Sequence, residues 1–388
     1  MQINSLFLEQ FRNYTTQTVT FDPKCNVIFG ENAQGKTNLL EAIVYLSCGK
    51  SPRARTDREM IAFDAPSARL AVAAEARNRD FKVQIDLFRG KRRKMTVNQV
   101  PVKNSAELSQ VYQTVFFCPE DLDLIRAGAA ARRKFMDTAL CQLRPRYAAA
   151  LYEYNRTHEH KTRILRDSED RPDLLLTLPE FNEQMVRYGA VLIHYRHQFI
   201  QRLREYAAAN HRECSGGREE LDLQYQTVSS VQDAGAPLAE LADQLRAHME
   251  SHQNAEKASR MCLSGAHKDD ILVNINGREA KLYSSQGQTR TAALSMKLAE
   301  REIYKNVTGE YPVLLLDDVL SELDPRRQEF VLNRIAGGQV FITCCEDDRL
   351  ADMLGGKVLH VADGQLVQGM NTSETPAVDC AEAPPAAE

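Results

Sequence analysis

Eight residues near the amino terminus carry the clearest chemical signal in the sequence. They have glycines at the first and sixth positions, then a lysine and a threonine, and they lie between an apolar strand, Cys25–Phe29, and a predicted helix from about Lys36 to Cys48. Such glycines let backbone N–H groups face a phosphate, the lysine reaches the β/γ oxygens, and the threonine hydroxyl ligates Mg²⁺. The pattern predicts a phosphate-binding loop for Mg-ATP, made of Gly30, Glu31, Asn32, Ala33, Gln34, Gly35, Lys36 and Thr37.

A second element lies far downstream, where an apolar strand ends in two carboxylates. Val313–Leu316 is followed directly by Asp317 and Asp318. In nucleotide hydrolases the first acid of such a pair holds Mg²⁺, and a further group orients the attacking water. We therefore predict that Thr37 and Asp317 hold the metal, and that Asp318 and Lys36 act in catalysis.

A third element opens a helix that is predicted to run to about Lys305. The sequence Ser-Ser-Gln-Gly-Gln at 284–288 resembles the LSGGQ signature of ABC-type ATPases, with Ser285, Gly287 and Gln288 on matching positions. In ABC-type enzymes this helix start caps the γ-phosphate held by a second subunit, so that ATP joins a head-to-tail dimer. The resemblance implies a catalytic role for Ser285. The alternative is a serine-rich turn that only caps the helix.

Hydrophobic periodicity predicts how these elements are organised. Strand patterns fill the first part of the chain, helical steps of three and four fill the middle, and strand and helix alternate again towards the end. We predict an α/β fold: an ABC-type ATPase head, with a mixed β-sheet, a P-loop helix and an antiparallel β meander, and an inserted helical arm lobe. The predicted boundaries are 1–118 and 262–369 for the two parts of the head, 119–261 for the arm lobe, and 370–388 for a disordered acidic tail.

Composition is typical of a globular, cytoplasmic protein. No run approaches the roughly 18 apolar residues of a membrane helix, and the start lacks a signal peptide, so no membrane partner is expected. The nine cysteines include no CxxC pair, which predicts reduced thiols and neither a zinc site nor a disulfide framework. The net charge is −4, yet residues 1–134 hold 21 Lys and Arg against 14 Asp and Glu, which is compatible with a basic face.

Taken together, the motifs resemble those of the RecF family, bacterial DNA-repair relatives of the structural-maintenance-of-chromosomes ATPases. The resemblance implies an ATP-dependent dimer that binds DNA at gaps or single-strand/double-strand junctions and helps to load recombinase, with RecO- and RecR-like partners. Roles in repair, replication-fork recovery and the SOS response come with the family, and Arg12 and Asn13 are implied to lie near the nucleotide. The matching segments are Leu8–Tyr14, Gly30–Ile43, Pro119–Leu122, Gly265–Asp270, Ser285–Gln288 and Asp317–Asp324.

Three departures from the family and ABC patterns bear on the chemistry. Ala266 and Lys268 stand where the family usually has Pro and Arg, which leaves the role of that loop open. After the strand Val340–Thr343 there is no histidine of the kind that senses the γ-phosphate in many ABC ATPases, and Thr343 is the candidate sensor. Asp318, as in RecF-like proteins, is one methylene shorter than the usual glutamate, which predicts a weak, DNA-stimulated ATPase that serves as a switch.

Three other classes of function use the same motifs. An ABC transporter subunit keeps its P-loop and signature much closer than the 248 residues between Thr37 and Ser285, and a chromosome-condensing rod protein needs a far longer helical insert. An ATP-gated DNA clamp without useful hydrolysis stays open as an alternative.

Four further clusters are compatible with plain surface roles. The histidine pairs at 194–197 and 248–252 have helical metal spacing without a third ligand nearby in sequence, which favours solvated helix faces. The basic clusters are equally compatible with solvated turns and with phosphate contacts. They comprise Lys91–Lys94 and the group Arg53, Arg55 and Arg58.

Overall fold

The computed structural model describes residues 1–345 and 356–368. Within these residues the strands form two six-stranded sheets and one three-stranded sheet. The strands are β1 Gln2–Phe11, β2 Tyr14–Thr20, β3 Cys25–Phe29, β4 Ser67–Ala76, β5 Arg79–Phe88, β6 Lys94–Val97, β7 Val100–Pro101, β8 Thr114–Phe117, β9 Leu221–Gln226, β10 Asp270–Ile275, β11 Arg278–Glu279, β12 Val313–Leu316, β13 Val340–Cys344, β14 Lys357–Ala362 and β15 Gln365–Gln368. The helices are α1 Lys36–Cys48, α2 Ser105–Leu108, α3 Ala129–Leu143, α4 Pro145–Asp167, α5 Leu178–Cys214, α6 Leu238–Ser259, α7 Ala280–Tyr283, α8 Gln286–Thr308 and α9 Pro325–Arg334.

One six-stranded sheet brings distant motifs to a common edge. Its order is β15-β14-β3-β13-β12-β8, and its pairs are parallel except for β14 with β15. The carboxyl ends of parallel strands meet at one edge of a sheet, which is where ligands bind in open α/β folds. The loop after β3, the acids after β12 and the end of β13 therefore lie side by side, as the α/β prediction requires.

The other six-stranded sheet is the predicted antiparallel meander, in the order β2-β1-β4-β5-β6-β7. Its apolar side, which includes Leu70, Val72, Val83 and Ile85, is buried in the same core as α1. Ten of the 13 residues of α1 are buried, so this helix is fixed on almost all sides. A rigid helix in turn fixes the loop that precedes it.

Helices α3 to α6 occupy most of the predicted arm lobe, and α5 packs on both α4 and α6. Proline and glycine residues lie at the ends of these helices: Pro179 lies in the first turn of α5, Gly216 and Gly217 follow its end, and Pro237 precedes α6. The segment predicted as a helical arm lobe also contains a strand that was not predicted, β9, which pairs antiparallel with β10. β9 has an apolar residue at every second position, and this alternation is typical of a strand.

The domain boundaries stay a prediction, and the tail 370–388 lies outside the described residues. In the described part of the chain, no helix combines the length and the apolar character needed to cross a bilayer.

Candidate nucleotide site

The loop between β3 and α1 is held by the hairpin of β1 and β2. The Asn13 side-chain amide donates to the Gln34 carbonyl at 2.7 Å, and the Tyr14 hydroxyl donates to the Gly35 carbonyl at 3.0 Å. Gly35 has a φ of 120°, and a Cβ there would lie 2.7 Å from the Asn13 side-chain nitrogen. Both the backbone conformation and this neighbour require glycine. Residues 31–33 of the loop are exposed.

Lys36 lies inside this loop, with only 4% of its surface exposed. Its ammonium donates to the Gly30 carbonyl at 2.6 Å, and the Cys345 sulfur is 3.0 Å away. Among residues 1–345 and 356–368, the groups that contact the ammonium are dipolar, and none of them is a carboxylate. A buried cation in this state is suited to an anionic ligand, because an anion supplies the charge that the carbonyls lack.

Thr37 and Asp317 meet at the edge of the parallel sheet. The Thr37 hydroxyl donates to the Asp317 carboxylate at 3.0 Å, although 280 residues separate them. Asp317 is 6% exposed, and its burial raises the pKa of the carboxyl, an effect opposed by the hydroxyls of Thr37 and Thr343, which donate to it. The pair presents a hydroxyl and a carboxylate oxygen, which is the ligand chemistry that Mg²⁺ prefers.

Asp318 has an unusual backbone conformation at the end of the same strand. Its φ is 51°, in the left-handed region, and its backbone N–H donates to the Thr343 hydroxyl at 2.8 Å. The turn directs the two successive carboxylates differently: Asp317 towards Thr37, and Asp318 to within 4.0 Å of the Cys345 sulfur. Thr343 therefore organises both acids, and its role as a γ-phosphate sensor stays a prediction.

Arg12 lies beside the loop but is already paired. It forms two hydrogen bonds with Glu41 of α1, at 2.9 and 2.8 Å, and a third with the Glu59 carbonyl at 2.7 Å. Together with Asn13 it lines an open cleft of about 680 Å³. Asn13 contacts the P-loop directly, and the implied position of Arg12 and Asn13 near a nucleotide stays a prediction. The cleft is further lined by Asn38, Arg53, Arg58, Glu59, Ile61, Phe63 and Arg89.

The signature-like residues form the start of α8. Ser285 is the N-cap: its hydroxyl accepts from the Gln288 N–H at 3.2 Å, and the Gln288 side chain accepts from the Ser285 N–H at 2.8 Å. The Gly287 carbonyl accepts from Arg327 at 2.8 Å. No hydrogen bond among the described residues joins 285–288 to the P-loop. Ser285 is exposed, and the preceding Leu282 and Tyr283 are 64% and 71% exposed.

Three residues of the site were missed by sequence reasoning. Cys345 touches Lys36 and lies 2.9 Å from the Asn32 side-chain oxygen, while Tyr14 and Glu41 support the loop and Arg12. The position of Cys345, just past the end of β13, could have indicated that it lies at the same sheet edge as Lys36. Glu41 and Tyr14 lie within the segments that carry the family resemblance.

The basic cluster 91–94 divides into two kinds of residue. Arg93 is half-buried and donates to the Tyr45 hydroxyl at 2.7 Å and the Gly49 carbonyl at 2.8 Å, so it ties β6 to the end of α1. Lys91, Arg92 and Lys94 are exposed. Only these three are available to a ligand in solution.

Two curated relatives resemble the chain over nearly its whole length. A DNA replication and repair protein RecF from Agathobacter rectalis is 38% identical over 370 residues, which cover 94% of this chain and 99% of that protein. A protein of the same name from Lachnoclostridium phytofermentans is 37% identical and covers 92% and 99%.

Solved structures agree with this similarity. The recombination mediator protein RecF with ATP, described in the RecFOR pathway, superposes with a TM-score of 0.85 at 31% identity and covers 95% of this chain and 98% of that one. A RecF–ATPrS structure gives a TM-score of 0.87 at 32% identity, with 94% and 97% covered. An SMC head bound to the winged-helix domain of ScpA, at 14% identity and a TM-score of 0.56, shares the fold.

A mostly parallel sheet with a glycine-rich loop and paired acids at one edge, an antiparallel meander beside it and a serine-capped helix form the α/β head fold of the RecF and SMC proteins. Residues 2–365 match the sequence model of the RecF/RecN/SMC N-terminal domain family. Within it, the chain belongs to the RecF family of DNA replication and repair proteins. This membership sets aside the transporter alternative.

Proposed function

We propose that the chain binds Mg-ATP in the P-loop, dimerises head-to-tail around it, and binds DNA at gaps or junctions during recombinational repair. Hydrolysis is slow and acts as a switch that ends the bound state. The relatives of known structure are described in the RecFOR pathway, and this supports RecO- and RecR-like proteins as partners. A cytoplasmic location is part of the same proposal.

The observation that carries the proposal is the Thr37–Asp317 contact at 3.0 Å beside the buried Lys36. Two oxygen ligands and one cation converge at the amino terminus of α1, where the helix dipole favours an anion. The donor set fits Mg²⁺ and phosphates: Thr37 and Asp317 hold the metal, and Lys36 exchanges the Gly30 carbonyl for phosphate oxygens. Bound Mg²⁺ neutralises the charge of the phosphates.

Asp318 is assigned to the attacking water. The assignment is supported by the Cys345 sulfur, which lies 4.0 Å from the Asp318 carboxylate and 3.0 Å from the Lys36 ammonium. A general base has to be within hydrogen-bond reach of the water that it activates. Since aspartate reaches one methylene less far than glutamate, water is held less well and turnover is slow.

The exposed start of α8 supports the proposed dimer. Ser285, Gly287 and Gln288 face solvent in part or in full and are bonded among themselves and to neighbours other than the P-loop. A helix amino terminus is suited to an anion, and the Ser285 hydroxyl, which accepts from the Gln288 N–H, can still donate its own proton. In the proposal that anion is the γ-phosphate held by a second copy, and the apolar pair Leu282 and Tyr283 is covered when the copies close.

Binding of DNA with and without a slowly hydrolysed ATP analogue tests the proposal. Filter binding to gapped, single-stranded and duplex DNA should be tighter with the analogue in the parent chain, and indifferent to it in Lys36→Ala. Equal DNA affinity with and without the analogue in the parent would overturn the ATP-dependent part. A turnover assay with and without DNA distinguishes this proposal from an ATP-gated DNA clamp without useful hydrolysis. If hydrolysis acts as a switch, DNA should raise the rate of ATP turnover, and the clamp predicts no such increase.

A further inference from the structure

Two imidazoles and a thiol come together on the side of the helical region. His158 lies on α4, Cys262 follows α6, and His267 lies in the loop before β10. One possible ligand atom from each residue lies within 4.8 Å of those of the other two. The two imidazole ring centroids are 4.2 Å apart. The cluster lies outside the nucleotide site, and none of its residues contributes to the roles proposed above.

Nitrogen and sulfur ligands of this kind are those that Zn²⁺ and related ions prefer. Around a tetrahedral zinc, with bonds of about 2.0–2.3 Å, ligand atoms lie roughly 3.5 Å apart. The separations in the cluster need to close by no more than about 1.3 Å to reach this geometry. We propose that His158, Cys262 and His267 form a site for one ion of the Zn²⁺ class, which ties α4 to the loop before β10.

The hydrogen bonds of His267 match those of a metal-binding histidine. One ring nitrogen, Nε2, lies 3.2 Å from the Cys262 carbonyl oxygen, and the other, Nδ1, lies 2.9 Å from the Tyr154 hydroxyl. Metal-bound histidines donate their second N–H to a carbonyl or similar acceptor, which fixes the tautomer. With Nε2–H on the carbonyl, Nδ1 carries the free lone pair, and the Tyr154 hydroxyl gives way to the ion.

The charge state of the cluster favours histidine ligation. Burial lowers the pKa of His267 to about 3, with His158, Lys268 and Lys161 adding to the effect, and the pKa of His158 is lowered as well. Both rings therefore present neutral nitrogens near neutral pH. Burial raises the pKa of Cys262 to about 11, so the thiol is protonated before the ion binds. When the S–metal bond forms, the S–H bond breaks and the proton goes to the buffer.

The charged residues near the cluster are paired with other groups or exposed, so the proposed fourth ligand of the ion is water. Lys161 is buried and paired with Glu256 at 2.7 Å, while Lys268 is exposed. Glu256 also accepts from the backbone N–H groups of Leu263 and Ser264. Its carboxylate is thus engaged, and the three-ligand set keeps one open position, as in zinc sites with a bound water.

The pair His248 and His252 provides an internal control. Their rings stack with centroids 4.0 Å apart, but His248 Nδ1 lies 2.9 Å from the Ser264 hydroxyl, and His252 Nδ1 lies 2.9 Å from the His248 carbonyl. Among the described residues, this pair has no third His, Cys or acid in position to complete a site.

Cobalt(II) is the probe, because a thiolate ligand gives a charge-transfer band and a tetrahedral site gives strong visible bands. The tag-free, reduced full-length chain, without nucleotide, should take up one cobalt per chain with both signals, and added zinc should remove them. Cys262→Ser should abolish the charge-transfer band. His158→Ala should weaken cobalt binding roughly tenfold or more.

Two matched variants complete the experiment. Cys214 is buried to 7% exposure, like Cys262 at 6%, and Cys214→Ser should leave both signals intact, as should His252→Ala. No charge-transfer band in the parent, or a band that survives Cys262→Ser, would overturn the site. If Cys262→Ser fails to fold by circular dichroism, His158→Ala on the half-exposed α4 face decides alone, and unchanged cobalt affinity there overturns the proposal.

Discussion

The Thr343 hydroxyl donates a hydrogen bond to the Asp317 carboxylate at 3.0 Å, from the end of one parallel strand to the end of its neighbour. The same hydroxyl accepts the backbone N–H of Asp318 at 2.8 Å. A single oxygen therefore orients the proposed magnesium ligand and fixes the strained turn that positions the next acid. The contact makes Thr343 a supporting residue of the site, whether or not it also senses phosphate.

Thr343→Val should disturb both acids while keeping the shape of the side chain. Asp317 loses a donor, so its raised pKa rises further, and the part-buried Asp318 N–H loses its partner. We expect a loss of about 1–3 kcal/mol in the free energy of unfolding, and a higher Mg²⁺ requirement for ATP binding. Urea unfolding and a magnesium titration of ATP affinity measure the two effects. Thr343→Ser keeps the hydroxyl, so it should retain most of the stability and most of the parent's Mg²⁺ response. Equal results for Thr343→Val and Thr343→Ser would contradict the role assigned to the Thr343 hydroxyl.

Lys36→Ala should lower ATP affinity at least tenfold, because a charge-assisted phosphate contact contributes on the order of 1.5–3 kcal/mol. Calorimetric titration with Mg-ATP measures it. Lys50→Ala, which removes an exposed lysine just past α1, serves as the control and should bind like the parent. Equal affinity of the two variants would rule out the P-loop role of Lys36.

Arg92→Glu together with Lys94→Glu should weaken binding to all DNA sequences alike. Phosphate contacts release counterions, and about six of them give a slope near −5 in a plot of log K against log salt for duplex DNA. The double variant should bind less tightly and with a flatter slope, as measured by titrations at several salt concentrations. The same charge change at the exposed Arg163 and Arg166 of α4 should have a smaller effect. An identical slope in the first variant and the parent would assign the cluster to a solvated turn.

Arg93→Ala should instead destabilise the fold. The guanidinium bonds the Tyr45 hydroxyl, the Gly49 carbonyl and Asp57, and it is half-buried. Hydrogen bonds to a charged group contribute about 1.5–3 kcal/mol, and we expect a loss of this size in urea unfolding. Arg92→Ala, at the exposed neighbour, should stay within about 0.5 kcal/mol of the parent. Similar values for the two would remove the structural role of Arg93.

Local sequence patterns predicted much of the fold. β3, α1 and β12 have the predicted bounds, because each combines a continuous apolar run or helical period with a sharp end at Gly30, Gly49 or Asp317. The meeting of Thr37 with Asp317 was also predictable, since both follow buried strands. β9 was missed although its alternation is visible, because helical segments surround it.

Other features depend on contacts that no local pattern contains. Arg93 reads as one of four consecutive basic residues, and only the approach of α1 distinguishes it from Arg92. Cys345 reaches Lys36 across the sheet edge, and His158 reaches Cys262 and His267 through the packing of α4 on its neighbours. Spacing within one segment carries no information about such pairs.

Two single variants prepare the test of the central claim, which is that ATP is held between two copies. Lys36→Ala lacks a working P-loop but keeps its signature residues, and Ser285→Arg keeps the P-loop but blocks the start of α8. Each alone should stay monomeric in light scattering with a slowly hydrolysed ATP analogue, although Ser285→Arg should still bind the nucleotide. Dimerisation of Ser285→Arg at the parent's level would already contradict the role of the signature residues.

The decisive measurement is light scattering of the two variants mixed in equal amounts with the analogue. A head-to-tail pair made of one copy of each has one complete site, built from the Lys36 of the Ser285→Arg chain and the Ser285 of the Lys36→Ala chain. The account predicts that dimers form in the mixture, though each variant alone stays monomeric. A mixture that stays as monomeric as its components, while the parent chain dimerises, would contradict a site shared between two copies.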